Sequence, residues 1–355
     1  MPELRMGFVG SGFMGRTHVD AASRLASTVP VAIAGGSRAE KVASDYGLET
    51  EPSFRELVVR DDIDAIVVST PHWCHAEESL AAAEAGKHVL VEKPMATRLD
   101  DARTMRETFE QRGLVLKVGY HQRFREANRL TGELIAEGRI GRVRCIQTSA
   151  LFDITPLRSD KGFGGNWNWW TDPRSVAHLM NSGPHNIDLC RWWLGSDIET
   201  VSAASGTFRE DNPNENTTMC LLTFLDGTMA TFWSTSVLST PGFTGEAFRF
   251  RLMGDKGFID LDPYDRLIVG TDGVTETVFQ QPPVGHDDSD AAFGLPRMQA
   301  YCDQMQSFVD SIEGLPNAGG TAKDGEAGVA AVLAILQAAT QREVVSLTQD
   351  VDPVC

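Results

Sequence analysis

The sequence predicts an α/β protein: a doubly wound parallel sheet at the N-terminus, followed by an α+β domain built on a large, mostly antiparallel open sheet. Three observations carry this expectation. Short apolar runs alternate with helical stretches from Arg5 to about Gly119. A glycine-rich turn stands directly behind the first of those runs. After Arg123 the runs lengthen and acquire Asp-Gly hairpin signals.

In order, the apolar runs are RMGFVG, VPVAIAGG, IDAIVVST, KHVLVEK and LVLKVGY. Helical stretches at Thr17–Leu25, Ala39–Tyr46, Ala76–Ala85 and Leu99–Gln111 lie between them. Runs this short and this apolar are those of parallel strands buried on both faces, joined by right-handed helical crossovers. The second part reads as strands in VRCIQTSALFDI, ETVSAASGTF, TTMCLLTFLDGTMATFWSTSV, FRFRLMGDKGFIDLD and RLIVGTDGVTETVF, with hairpins at Asp226-Gly227 and Asp272-Gly273. The alanine-rich stretch Glu326–Gln341 is expected to be the last helix, and QPPVGHDDSDAAFGLP is the longest irregular stretch. The division between domains is placed at 121/122, giving 1–121 and 122–355.

With 355 residues, 42% of them hydrophobic and 23% charged, the chain has material for two buried cores. Its net charge of −17 repels polyanions, which argues against nucleic acid or an anionic membrane surface as a partner. No apolar run approaches the ~18 residues of a membrane span. Six cysteines are scattered without metal-ligand or disulfide spacing, so no metal site is expected. With an opening that enters the glycine motif at once instead of an export signal, they predict a reduced, cytoplasmic setting.

Gly10, Gly12 and Gly15 form GxGxxG between the first apolar run and a helix, the context of a dinucleotide-binding (Rossmann) turn. Phe13 and Met14, inside that turn, are counted with the cofactor site. About 20 residues further on, a free ribose 2′-hydroxyl calls for a carboxylate. Here Gly35-Gly36-Ser37-Arg38 offers hydroxyl, backbone and guanidinium donors instead, which favours NADP over NAD.

The stretch STPHWCHAEESLAAAEAGKHVLVEKPMA resembles the glucose-fructose oxidoreductase, inositol dehydrogenase and rhizopine-catabolism family. Thr70, Pro71, His75, Gly86-Lys87-His88 and Glu92-Lys93-Pro94 match its signature in order, and VGYHQRF continues the likeness. The resemblance covers most of the chain and is weak in the C-terminal sheet. It implies that Thr70, Pro71, His75, Glu92 and Lys93 border the cofactor, that the peptide before Pro94 is cis, and that Lys93 points at the substrate oxygen. An ammonium there can stabilise developing oxyanion charge and assist proton transfer.

The resemblance places the second half of the site in HLMNSGPHNIDLCRWWLG. Its pattern there is Asp, three residues, His, two residues, Asp. The chain reads Asn181, His185 and Asp188, so an amide replaces the first carboxylate. Asn181 can orient a hydroxyl but cannot take a proton, which leaves acid/base work to His185 and Lys93. The family's glycine run is replaced by DPRSVAH, and GFGGNWNWWTDP upstream supplies Trp167, Trp169 and Trp170. These tryptophans, with Tyr120 and Arg123, are the candidates for a substrate wall; core or interface packing is the alternative for the tryptophans.

The expected activity is NAD(P)-dependent hydride transfer at a hydroxyl or carbonyl carbon of a sugar, cyclitol or sugar derivative, by a homodimer or homotetramer joined through the C-terminal sheet. Two other readings stay open on the sequence alone. One is an enzyme that retains its cofactor and uses transient oxidation for elimination or cleavage. The other is a non-catalytic dinucleotide or sugar sensor.

Overall fold

The structure, a computed structural model, describes residues 3–152, 169–170, 172–208, 214–238, 243, 247–282 and 295–347. They fall into two compact units. The first holds residues 3–124 and also 295–326, a segment that the sequence places in the second domain. The second holds the described residues of 125–282 and 327–347.

In the first unit, β1 (Leu4–Val9), β2 (Thr28–Ala34), β3 (Glu49–Glu51), β4 (Ala65–Val68), β5 (His88–Val91) and β6 (Leu116–Val118) lie in the order 3-2-1-4-5-6 and run parallel. Strand order reverses between β1 and β4, the switch point at which open α/β sheets bind ligands beyond the carboxyl ends of their strands. All four residues of β4 are buried, as the unbroken run AIVV requires. Helices α1 (Phe13–Ser23), α2 (Ala39–Tyr46), α3 (Phe54–Val58), α4 (His75–Glu84) and α5 (Leu99–Arg112) make the connections.

Two elements of this unit come from far along the chain. The helix Leu295–Ile312 sends Met305 and Phe308 into the core of Met6, Phe8, Ile33 and Val67. The strand Gly320–Thr321 then pairs antiparallel with the edge of β6.

The second unit is a nine-stranded sheet. From one edge it runs β14 (Val274–Gln280), β13 (Arg266–Thr271), β12 (Gly257–Leu261), β11 (Phe248–Gly254), β7 (Val143–Leu151), β10 (Met229–Thr235), β9 (Thr217–Phe224), β8 (Ile198–Gly206), and ends on Val345–Ser346. Every pairing is antiparallel except β7 with β10. Both expected Asp-Gly hairpins form, with Gly227 and the Asp272-Gly273 pair at positive φ.

Alternation sorts the faces. Leu222, Phe224, Phe232, Phe250 and Leu252 point into a core shared with the helix His178–Leu194 and with Ala331, Val332 and Ile335 of the last helix, Ala322–Gln341. The opposite face carries exposed Met219, Leu221, Met229, Met253 and Phe258. No helix among the described residues is long and apolar enough to cross a membrane.

Candidate active site

The glycine turn has the geometry its spacing predicts. Gly10 has φ +100°, and a side chain at Gly15 would put its Cβ 2.0 Å from the Gly10 carbonyl oxygen, so α1 starts hard against the turn. Gly12 precedes α1, and nothing lies within 4 Å of where its Cβ would be. The first turn of α1 has no acidic residue. An open backbone cradle at a helix N-terminus fits a pyrophosphate. The side chains of Phe13 and Met14 face elsewhere: Arg297 lies 4.4 Å over the Phe13 ring, and Met14 packs at Ala21, Met298 and Tyr301. The turn therefore offers backbone to a cofactor.

Behind β2, Gly35 and Gly36 both take positive φ, Ser37 is exposed and Arg38 half-exposed. The Arg38 backbone N–H donates to Ser11 Oγ at 3.1 Å, which ties this loop to the glycine turn.

At the ends of β4 and β5 stand the other predicted residues. Thr70 and Pro71 are half-buried, and the Lys93-Pro94 peptide is cis, as expected. His75 and Glu92 are buried and have protein partners of their own. The His75 ring reaches the Pro94 carbonyl through Nδ1 and the Thr70 carbonyl through Nε2, each at 2.8 Å. Burial holds its pKa below the ordinary imidazole value. Glu92 Oε1 lies 2.9 Å from His18 Nε2, and Oε2 accepts the Lys93 backbone N–H at 3.1 Å.

Lys93 keeps partial exposure. Burial lowers its pKa from the ordinary lysine value, and the charge of Glu92 opposes that shift. Tyr120 and Arg123 are both buried; the guanidinium sits 5.8 Å over the Tyr120 ring and 3.2 Å from Asp324.

In the second unit, Asn181, His185 and Asp188 recur at helical spacing along one face of His178–Leu194. Asn181 and Asp188 are buried and His185 is half-buried. The opposite side is pinned to the sheet by Asn186 Nδ2, which donates to Thr148 Oγ1 at 2.7 Å. The start of the helix is capped by Glu215, whose Oε2 accepts the Leu179 N–H at 3.0 Å, where a carboxylate meets the positive end of the helix dipole. Trp170 stacks on His178 at 5.8 Å, with Trp169 5.7 Å beyond it. Trp167 lies outside the described residues.

Two polar residues escaped the sequence reading. His18 is fully buried on α1, and Glu78 accepts a hydrogen bond from the Thr70 hydroxyl. A histidine among Thr17, Val19, Ala21 and Ala22 on the inner face of α1 was the available signal, since a buried imidazole needs a partner.

Comparison with known proteins identifies the family and the fold. The profile described as "Oxidoreductase family, NAD-binding Rossmann fold" matches residues 4–120, and the "GFO/IDH/MocA C-terminal domain" matches 129–260. A 1,5-anhydro-D-fructose reductase of Ensifer adhaerens is 28% identical over 94% of this chain and 96% of its own. An inositol 2-dehydrogenase of Rhizobium meliloti (strain 1021) is 27% identical over 97% and 99%. A solved structure of scyllo-inositol dehydrogenase from Lactobacillus casei, with bound cofactor NAD(H) and scyllo-inositol, superposes with a TM-score of 0.78 at 22% identity, covering 98% of this chain and 100% of that one. With both domain profiles matched, the chain belongs to the GFO/IDH/MocA family of NAD(P)-dependent oxidoreductases.

Proposed function

We propose that this chain is a dehydrogenase or reductase that moves hydride between C4 of a nicotinamide and the hydroxyl- or carbonyl-bearing carbon of a sugar, cyclitol or sugar derivative. The observation that carries the reading is the common placement of the glycine turn, Thr70-Pro71 and Lys93. They stand at the carboxyl ends of the adjacent parallel strands β1, β4 and β5. The nicotinamide supplies the hydride acceptor or donor when bound. The Lys93 ammonium donates a hydrogen bond to the substrate oxygen and stabilises charge that develops there. His185 takes or returns the hydroxyl proton, and Asn181, which cannot titrate, orients a substrate hydroxyl through its amide. Trp169 and Trp170 offer apolar faces to a ring.

Three finer readings go with this. NADP(H) binds in preference to NAD(H), because residues 35–38 present no carboxylate and do present Ser37 and Arg38. The chain self-associates as a homodimer or homotetramer through the exposed face of the nine-stranded sheet. There Met219, Leu221, Met229, Met253 and Phe258 are exposed, while Arg249 and Asp260 satisfy one another at 2.6 Å. A monomer in sedimentation equilibrium removes that reading. Five free thiols among the described cysteines support a reducing, cytoplasmic location.

The test is a turnover screen with NADP(H) and NAD(H) against a panel of sugars and cyclitols, followed by nicotinamide absorbance. Turnover of at least one ring polyol or its ketone is expected. A protein that binds dinucleotide and turns over none of them contradicts the proposal.

A further inference from the structure

The His18 and Glu92 pair is not explained by cofactor binding or by core packing. The two residues lie 74 positions apart, on α1 and at the end of β5, and their side chains are 1% and 6% exposed. A carboxylate taken out of water is strongly unfavourable unless it is partnered, and both oxygens of this one are. Oε1 meets His18 Nε2 at 2.9 Å and Oε2 meets the Lys93 backbone N–H at 3.1 Å. The wall opposite is Gly119, where a Cβ would come 2.9 Å from Oε1. The carboxylate is thus held in a slot cut to its shape, with its backbone link at the residue that carries the amine.

The direction of the hydrogen bond follows from the other imidazole nitrogen. His18 Nδ1 is buried with no hydrogen-bond partner among the described residues, and the edge-on ring of Tyr301 lies 5.9 Å from the imidazole. With the ring proton on Nε2, Nδ1 is left with a lone pair and needs no acceptor, so His18 serves as the hydrogen-bond donor to Glu92 Oε1.

Among the described residues, His72 and His75, ahead of and at the start of α4, also face Glu92 and Lys93, and burial lowers the pKa of both. Beyond Tyr301 the next such group is His121, stacked on that ring at 4.5 Å. Burial by itself pushes the Glu92 carboxyl up; the hydrogen bond from His18, together with the attraction of His18 and Lys93, outweighs it and leaves the carboxyl below its ordinary value.

We propose that His18 is a positioning residue for Lys93: its Nε2–H holds Glu92 as a fixed, buried anion at the chain carrying Lys93, and that anion keeps the Lys93 side chain in its ammonium form. α1 and the chain segment that carries Lys93 are thereby joined through the His18–Glu92 hydrogen bond. The inference rests on Lys93 being the catalytic amine. Its test reads the amine directly, so the two can fail separately.

The experiment is competitive acetylation of the full chain with trace acetic anhydride across a pH series. Lys93 modification is quantified by mass spectrometry against Lys41, an exposed lysine with 72% of its side chain accessible. In Glu92→Gln, which keeps the shape and loses the charge, the half-titration of Lys93 is expected to fall by about one pH unit or more, a tenfold rise in neutral amine at fixed pH. His18→Gln, which retains an N–H donor, is expected to stay close to the parent. His18→Leu, which removes it, is expected to move towards Glu92→Gln.

An unchanged Lys93 profile in Glu92→Gln overturns the proposal, as does a His18→Leu profile that matches the parent. Should Glu92→Gln fail to fold, Glu92→Asp, which withdraws the same charge by one methylene, replaces it. An intermediate downward shift then supports the proposal, and none overturns it. Loss of turnover in Lys93→Ala is a separate observation and does not enter this result.

Discussion

His75 and Pro94 are joined by a contact of 2.8 Å between imidazole Nδ1 and carbonyl oxygen, while the other ring nitrogen stands the same distance from the Thr70 carbonyl. One buried ring thus spans the two loops that border the proposed cofactor and substrate. Since burial favours the neutral ring, a single N–H serves one carbonyl at a time. His75→Leu keeps most of the volume and removes the donor, and a destabilisation of about 1–3 kcal/mol is expected. Urea unfolding measures it. An unchanged midpoint would show that the ring does not hold these loops.

Glu78 gives a second prediction, with a definite sign. Burial is the largest cause raising its carboxyl to about 7, opposed by the Thr70 hydroxyl and assisted by the neighbouring charge of Glu77. The folded chain therefore holds a proton that the unfolded chain releases near the ordinary glutamate value of 4.5. The contribution to stability is present below that value and is lost as pH rises to about 7. Glu78→Gln removes the titration, so the variant should gain on the parent across that window, by on the order of 3 kcal/mol at its upper end. Denaturation at a series of pH values checks this, and a parallel pair of stability curves would refute it.

These two residues also show where the sequence stopped being legible. The strands could be read because AIVV and HVLV have no other use than a buried parallel sheet, and the hairpins because Asp-Gly pairs tolerate positive φ. The resemblance sets His75 and Glu92 beside the cofactor, while in the structure their side chains turn to protein carbonyls and to His18. A spacing motif fixes a position on the chain and not the direction of a side chain. The helix Leu295–Ile312 has a visible helical period at Met298, Tyr301, Met305 and Phe308, yet its docking on β-strands nearly 300 residues earlier is a tertiary choice that no local pattern encodes. The two-residue strand Gly320–Thr321 carries too little sequence to announce itself.

The cofactor preference is tested at Arg38. A charge-assisted contact with a 2′-phosphate is worth ~1.5–3 kcal/mol, about 10- to 100-fold in affinity. Arg38→Ala should weaken NADP(H) by that factor and leave NAD(H) nearly unchanged, as read by fluorescence titration of both. Tighter NAD(H) than NADP(H) binding in the parent would reverse the assignment.

Asn181 marks the departure from the family pattern. A carboxylate introduced there stands one helical turn from His185 and favours the imidazolium. Asn181→Asp is therefore expected to move the acidic limb of kcat/KM to higher pH, and His185→Ala to remove that limb with most of the activity. A changed KM with an unmoved limb would confine Asn181 to holding a substrate hydroxyl.

The central claim is that Lys93 acts on the reacting oxygen, and it is tested most directly by single-turnover hydride transfer in Lys93→Ala preloaded with cofactor. Cofactor affinity within a few-fold of the parent and a transfer rate lower by about 10²–10³ are expected. A folded Lys93→Ala protein that binds cofactor and transfers hydride at the parental rate would contradict it.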